Sequence, residues 1–387
     1  IEDSDKYFIC NLLSKQADIL SHEEYRKIEN GKCLSDSNFI DKGYVVDVQI
    51  ENKTNSLAYL NFINNRSTSE TQIFFVPTYA CNFSCSYCYQ DQYSAEQKVL
   101  SKNLIDSFFK HISLQFNKKQ FYITIFGGEP LLAGDKHKTT IDYFIKQANH
   151  YNTELAIVTN GYNLYDYLPI ISKGRIREIQ VTLDGAEHIH NNRRPHKNGS
   201  NSFKKIVKGI DSCLNQNIPI NLRMVLDKNN INELPKLAAY AIKKGWTKKT
   251  LFKTQLGRNY ELHNCQSDSQ KLYNRLELYQ DVYNLLLKHP DIIEFHKPAY
   301  SISKFLFEQG ELPDPLFDSC PACKTEWAYD FTGNIYPCTA TVGKKGEEIG
   351  TFYPEETFND KRIKEWQSRD VLNINDCLDC SNIHLCG

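Results

Sequence analysis

At 387 residues the chain is long enough for two or three domains and a large buried core. Forty-six Lys and Arg residues against forty-seven Asp and Glu leave a formal net charge of −1, so nothing favours a nucleic acid or an anionic membrane as partner. No apolar run of about eighteen residues and no signal-peptide pattern appears, and the thirteen cysteines therefore read as thiols of a reducing, cytoplasmic compartment. Nine of them sit in tight clusters, the pattern of metal ligands, while Cys10, Cys33, Cys213 and Cys265 are scattered as ordinary buried residues are.

Residues 1–70 read as a separate small unit. Tyr7-Phe8-Ile9 is a short strand candidate, Ser21-His22-Glu23-Glu24 has capping-box character ahead of a helix ending near Gly31, and Gly43 to Asp47 is a second strand candidate. From 71 to 300 the pattern alternates. Strands are expected at 72–76, 121–126, 154–159, 176–183, 218–226 and 250–255. Between them, Leu104, Ile105, Phe108, Phe109 and Ile112 repeat at helical spacing, as do Phe203, Ile206, Ile210 and Cys213. Strands alternating with helices make βαβ units and an α/β parallel sheet, and six units are two short of a closed eight-stranded barrel. Ligands of such a sheet bind beyond the C-terminal ends of its strands.

The first cysteine cluster lies just after the first of these strands. Cys81, Cys85 and Cys88 form a C-x3-C-x2-C triplet, and an odd number of thiols cannot all pair in disulfides. Soft sulfur ligands at this density suit an iron–sulfur cluster or zinc. A tetrahedral zinc site needs a fourth ligand, and no His or Cys follows closely behind Cys88 to supply it. With Tyr87 before its last cysteine, the triplet resembles the signature of the radical S-adenosylmethionine (SAM) enzymes. That resemblance implies an α/β partial (β/α)6 barrel as the core fold, and a [4Fe-4S] cluster on Cys81, Cys85 and Cys88 whose open iron chelates the amino and carboxylate groups of SAM.

The strand ends extend the resemblance. The second strand stops at Gly127-Gly128-Glu129-Pro130, a turn on its own, but at this distance after the triplet similar to the family's methionine-amino-binding loop. Its glycines let backbone approach a ligand, and Glu129 is expected to accept from a cationic amine. Thr159-Asn160-Gly161 ends the third strand and, by resemblance, places Asn160 toward the cofactor. Thr182-Leu183-Asp184-Gly185 ends the fourth, resembling the family's Ser-x-Asp-Gly with the hydroxyl kept. The resemblance makes Thr182 and Asp184 contacts to the ribose or methionine of SAM. In the run Glu187 to Pro195, similar to the His-Asp-x-x-Arg-Pro of peptide-modifying members, Asn191 replaces Asp. Arg194 then aligns with the arginine expected to pair with the SAM carboxylate, with Arg193 as its rival. On the fifth strand Val225 is expected to wall the adenine. Tyr89 and Gln90 are weaker candidates for facing the same space, and no catalytic acid or base stands out.

The remaining clustered cysteines lie in residues 301–387. Cys320-x2-Cys323 is followed at a distance by Gly333-x4-Cys338, and Cys377-x2-Cys380-x5-Cys386 closes the chain. Taken alone, four of these thiols equally make a zinc ribbon. Their spacing resembles the SPASM extension, which implies two auxiliary [4Fe-4S] clusters. Cys320, Cys323 and Cys338 would serve the first, and Cys377, Cys380 and Cys386 the second. Six thiols stand where eight are needed, so either each auxiliary cluster keeps an open iron or, the favoured expectation, the sequence stops short of the natural C-terminus.

The resemblance as a whole implies an oxidoreductase that cleaves SAM reductively and takes hydrogen from a ribosomally made precursor peptide, installing a crosslink or another oxidative change. Its partners would be that peptide and an electron donor such as ferredoxin or flavodoxin, and residues 1–70 would be either a leader-peptide-binding, winged-helix-like module or, equally, a small cap on the barrel. An anaerobic sulfatase maturase, forming formylglycine on a protein, shares every motif and is the alternative enzyme. An iron–sulfur scaffold or electron-transfer protein is the alternative outside enzymes, and predicts no 5′-deoxyadenosine from reduced protein and SAM.

Overall fold

The computed structural model describes residues 4–90, 100–259, 271–299, 303–378, 380 and 382–386; Cys265, Gly387 and the Cys386 side chain lie outside them. Backbone packing groups the chain into two compact units: residues 1–69, 299–321 and 365–387 in one, 70–298 and 322–364 in the other. The division does not follow the expected segments, because it splits 301–387 between the units.

In the first unit β1 (Lys6–Asn11) and β2 (Gln16–Ser21) pair antiparallel. The capping box forms as the sequence implies: the Ser21 hydroxyl accepts from the Glu24 N–H at 3.3 Å, and Glu24 accepts from the Ser21 N–H at 2.8 Å. It starts α1 (His22–Glu29), followed by α2 (Ser37–Asp41). Leu20, Cys33 and Phe39 form the small core beneath them. Residues 43–47 are not the expected strand. Gly43 takes a positive φ of 73°, the Tyr44 hydroxyl donates to Asp18 at 2.7 Å, and Asp47 caps α3 (Val48–Thr68) by accepting from the N–H groups of Gln49 and Ile50. The later segments join this helix through Phe317, whose ring meets Tyr59, Phe62 and His384, and through an ion pair of Arg66 with the buried Asp318 at 2.6 Å.

The second unit holds the alternating pattern: β3 (Thr71–Val76), α4 (Lys102–Gln115), β4 (Phe121–Ile125), α5 (Asp135–His150), β5 (Leu155–Thr159), α6 (Leu164–Ile171), β6 (Ile176–Thr182), α7 (Glu187–Arg193), α8 (Phe203–Asn215), β7 (Ile220–Leu226), α9 (Leu234–Lys243) and β8 (Phe252–Arg258). The six strands pair parallel in chain order, each within two residues of where apolar runs and turn residues put its start, and β8 runs three beyond its expected end. Both predicted helical faces are buried, on α4 and on α8.

One parallel strand of this sheet was not expected. β9 (Glu326–Asp330) lies parallel to β3, pairing Ile73 with Trp327 and Phe75 with Tyr329, and so adds a seventh parallel strand on the open edge. β10 (Asn334–Tyr336), β11 (Gly350–Thr351) and β12 (Thr357–Phe358) extend it antiparallel. An aromatic core sits where this edge meets α4: Phe108 is fully buried with its ring centroid 4.5 Å from Phe75, 5.3 Å from Tyr329 and 5.8 Å from Phe352. Phe108→Ala leaves a cavity at the junction of three elements and is expected to lower stability by about 3–5 kcal/mol, read as a fall in the urea midpoint at unchanged slope.

Candidate active site

A cavity of about 230 Å3 opens at the C-terminal ends of the parallel strands. Its walls include Cys81, Cys85, Cys88, Tyr87, Gly127, Gly128, Asn160, Thr182, Arg194 and Val225, which the sequence singled out, together with Tyr89 and Gln90. Sequence reasoning missed Phe83, Val158, Thr159, Gln180, Arg223, Arg258 and Asn259. For the strand residues among them the signal was available, since alternate positions of one strand share a face and Gln180 stands two before Thr182, Arg223 two before Val225.

The loop carrying the triplet is held on both sides. Gly128 N–H donates to the Thr78 carbonyl at 3.1 Å and Glu129 N–H to the Ala80 carbonyl at 2.8 Å, just ahead of Cys81. A Cβ on Gly128 would strike the carbonyl oxygens of Tyr79 and Ala80, and Gly127 has a φ of 128°, so both glycines are structurally required. On the other side Ser84 N–H donates to the Pro195 carbonyl at 2.9 Å, and the Asn160 amide donates to the Asn82 side chain at 2.7 Å. The three thiols therefore face one space from a loop whose backbone is fixed.

Three expected contacts take other roles. Glu129 is buried and does not line the cavity. Its carboxylate accepts from Leu131 N–H at 2.8 Å, the Thr159 hydroxyl at 2.6 Å and Asn160 N–H at 2.7 Å, tying the end of β4 to the end of β5. Burial raises its pKa against the opposing pull of those bonds. Pro130 faces a separate small cavity with Pro77, Leu100 and His137. Asp184 is fully buried beneath the main cavity, accepting from the Tyr87 hydroxyl at 2.5 Å and from Val225 N–H at 3.0 Å.

The arginine rivals separate clearly. Arg193 pairs with Asp227 at 2.9 Å, 3.6 Å from Asp184, and belongs to the scaffold. Arg194 lines the cavity, donates to the Tyr87 hydroxyl at 2.5 Å and leaves its buried Nε without a hydrogen-bond partner. Burial pushes the Tyr87 phenol well above its usual value; Arg194 opposes that shift and Asp184 adds to it. Asn191, where the resembling motif has Asp, accepts from Ser202 and Phe203 N–H at 3.0 and 3.1 Å and caps the start of α8, a role either side chain fills.

The donor set fits a cluster better than a single ion. Burial raises the Cys81 thiol to about 12, with Glu129 adding, and also raises Cys85, so thiolates here require bound positive charge. Among the described residues no three Cys, His, Asp or Glu side chains converge as ligands of one metal ion would. A cube-shaped cluster takes its thiolates at separate corners and needs no such point of convergence. Of the remaining cysteines, Cys323 takes a φ of 58° and its N–H donates to the Glu326 and Pro337 carbonyls, setting it beside the loop of Cys338. Cys320, Cys377 and Cys380 belong to the first compact unit, where Cys380 N–H donates to the Cys377 carbonyl at 3.1 Å.

Residues 75–241 match the Radical SAM superfamily. This chain carries a radical SAM domain. The family implies a [4Fe-4S] cluster and S-adenosylmethionine. Among curated relatives, GTP 3′,8-cyclase of Campylobacter jejuni is 30% identical over 42% of this chain and 50% of its own length. The chain thus spans about half the length of the cyclases it matches. The radical SAM cyclopropyl synthase TigE of Paramaledivibacter caminithermalis is 21% identical across 100% of this chain and 82% of its own. Two solved structures share the fold. anSMEcpe with bound AdoMet and Cp18Cys peptide has a TM-score of 0.61 at 17% identity, over 82% of this chain and 88% of that one. Streptococcus suis SuiB bound to precursor peptide SuiA has 0.58 at 14%, over 99% and 93%. No helix among the described residues is long and apolar enough to cross a membrane.

In Glu129→Gln an NH2 group replaces an acceptor oxygen, so at least one of three buried donors loses its partner. The expected loss is about 1–3 kcal/mol of stability, measured by chemical denaturation of the variant beside the wild type.

Proposed function

We propose that this radical SAM enzyme takes hydrogen from a peptide and installs a crosslink or another oxidative modification on it. The observation that carries the reading is the single cavity joining three thiols to Gly127, Gly128, Thr182, Arg194 and Val225. Cys81, Cys85 and Cys88 would hold the cluster. With SAM bound, the group supplies one-electron cleavage of the sulfonium and hydrogen-atom abstraction. The chain's own residues orient and enclose. The Arg194 guanidinium, with its buried Nε unpartnered, pairs with the SAM carboxylate, and Tyr87 with Asp184 holds that guanidinium in place. The two glycines, which line the cavity with Thr182 and Val225, would bring backbone against the methionine part, the Thr182 hydroxyl would serve the ribose, and Val225 would wall the adenine and exclude water.

A peptide substrate is supported by the fold shared with two proteins solved with peptides bound, and by the full-length alignment to a cyclopropyl synthase. Cys320, Cys323 and Cys338, and Cys377, Cys380 and Cys386, would hold auxiliary clusters, the last of these side chains lying outside the described residues. A one-electron donor of ferredoxin or flavodoxin type would serve the cavity cluster. Residues 1–70 would grip the leader of the substrate.

Formylglycine formation on a sulfatase remains the second reading, favoured by the likeness to anSMEcpe. Anaerobically reconstituted, reduced protein should release 5′-deoxyadenosine from SAM, and replacing any one of Cys81, Cys85 or Cys88 with Ala should abolish that release and lower bound iron. Mass spectrometry of a sulfatase-derived Cys peptide after turnover separates the readings, since formylglycine in that peptide would sink the crosslinking one. Arg194→Gln should raise the Kd for SAM by about tenfold or more, read by equilibrium binding.

A further inference from the structure

The barrel interior holds a guanidinium for which the cofactor reading has no use. On β7, Arg223 and Val225 both face the cavity, with Arg223 one pleat deeper than the wall expected for adenine. Room for it is made by the neighbouring strand: a Cβ on Gly257 of β8 would stand 3.0 Å from the Arg223 Nε and 3.1 Å from its Nη2. Even an alanine Cβ there would require the head group to shift by a few tenths of an ångström. Yet the guanidinium has little to bind. Its Nε is buried without a hydrogen-bond partner, and its Nη1 reaches the Gln180 side-chain oxygen only at 3.5 Å, the limit of a hydrogen bond. Among the described residues it forms no ion pair, and no Asp or Glu lines the cavity, whose walls also carry Arg194 and Arg258. The cosubstrate makes this charge balance worse, because SAM adds a sulfonium and its one carboxylate is matched to Arg194. A half-enclosed guanidinium without a counter-charge is costly to keep, and such an arrangement is stabilised by an anion that arrives with the substrate.

We infer that Arg223 reads a carboxylate of the substrate, an Asp or Glu side chain or the C-terminus of the peptide, placed close to the residue that loses hydrogen. The inference rests on the peptide reading above. The planar guanidinium offers a two-pronged site that suits a carboxylate.

The test uses full-length reconstituted protein with SAM bound and short fluorescent Ala- and Gly-based peptides that differ only by Glu against Gln. At low salt the Glu peptide should bind about tenfold tighter. Arg223→Gln should bring the two peptides to equal affinity, and Arg223→Lys should keep most of the preference. Gly257→Ala, which keeps the charge but crowds it, should also shrink the preference and carries the test if Arg223→Gln fails to fold. Equal binding by the wild type overturns the inference, as does an Arg223→Gln variant that weakens both peptides alike. It also fails if that variant raises the Kd for SAM while the preference persists, or if GTP displaces the Glu peptide more strongly than unlabelled Glu peptide does. Release of 5′-deoxyadenosine by reduced protein without peptide tests the underlying reading separately, since it does not depend on which peptide binds.

Discussion

The site depends on one buried chain of hydrogen bonds. Arg194 donates to Tyr87, Tyr87 donates to Asp184, and Asp184 accepts from the Val225 backbone. Those links join the loop of the cysteine triplet, the end of β6, the turn after α7 and the end of β7. A cation and an anion share one phenol between them in a place almost without water, where each would be expensive alone. Arg193 and Asp227 add a second pair beside the first. The thiols keep their positions because this scaffold has already settled where the loop can go.

A similar economy governs the other flank. The glycine pair lies directly on the backbone that leads into Cys81, and Glu129 serves as the knot between two strand ends. Strand C-termini are where a parallel sheet leaves backbone N–H groups unpaired, and the buried carboxylate collects them. What reads in sequence as a ligand-binding acid is therefore an internal clamp, and the backbone it shapes is what faces the cavity.

Much of the fold was legible because the signals were local. Apolar runs bounded by turns gave the six barrel strands, and period-3.6 stripes gave the buried faces of α4 and α8. The capping box at Ser21 was equally readable. The failures have separate causes. β9 depends on a partner about 250 residues earlier in the chain, and no local pattern encodes that pairing. Gly43 to Asp47 has strand-like residues, but Asp47 caps a helix that its own polar and scattered apolar residues do not advertise. In the site, Gly127 and Gly128 line the cavity at positions where the backbone itself demands glycine. Where a side chain could turn toward or away from the cavity, as at Glu129, Pro130 and Asp184, sequence had no means of choosing. Arg223 went unnoticed because an isolated arginine on a strand looks like surface until the glycine beside it is seen.

The parallel pairing of β9 with β3 also has a consequence for biogenesis. β3 emerges from the ribosome early, and the strand that covers its free edge follows about 250 residues later. At roughly 5–20 residues per second, that edge waits on the order of 10–50 s for its partner. Throughout that interval a sticky, ladder-ready border bearing Ile73 and Phe75 stands available to any other nascent chain. A cell making this protein in quantity would need something to shield that border until synthesis reaches Trp327.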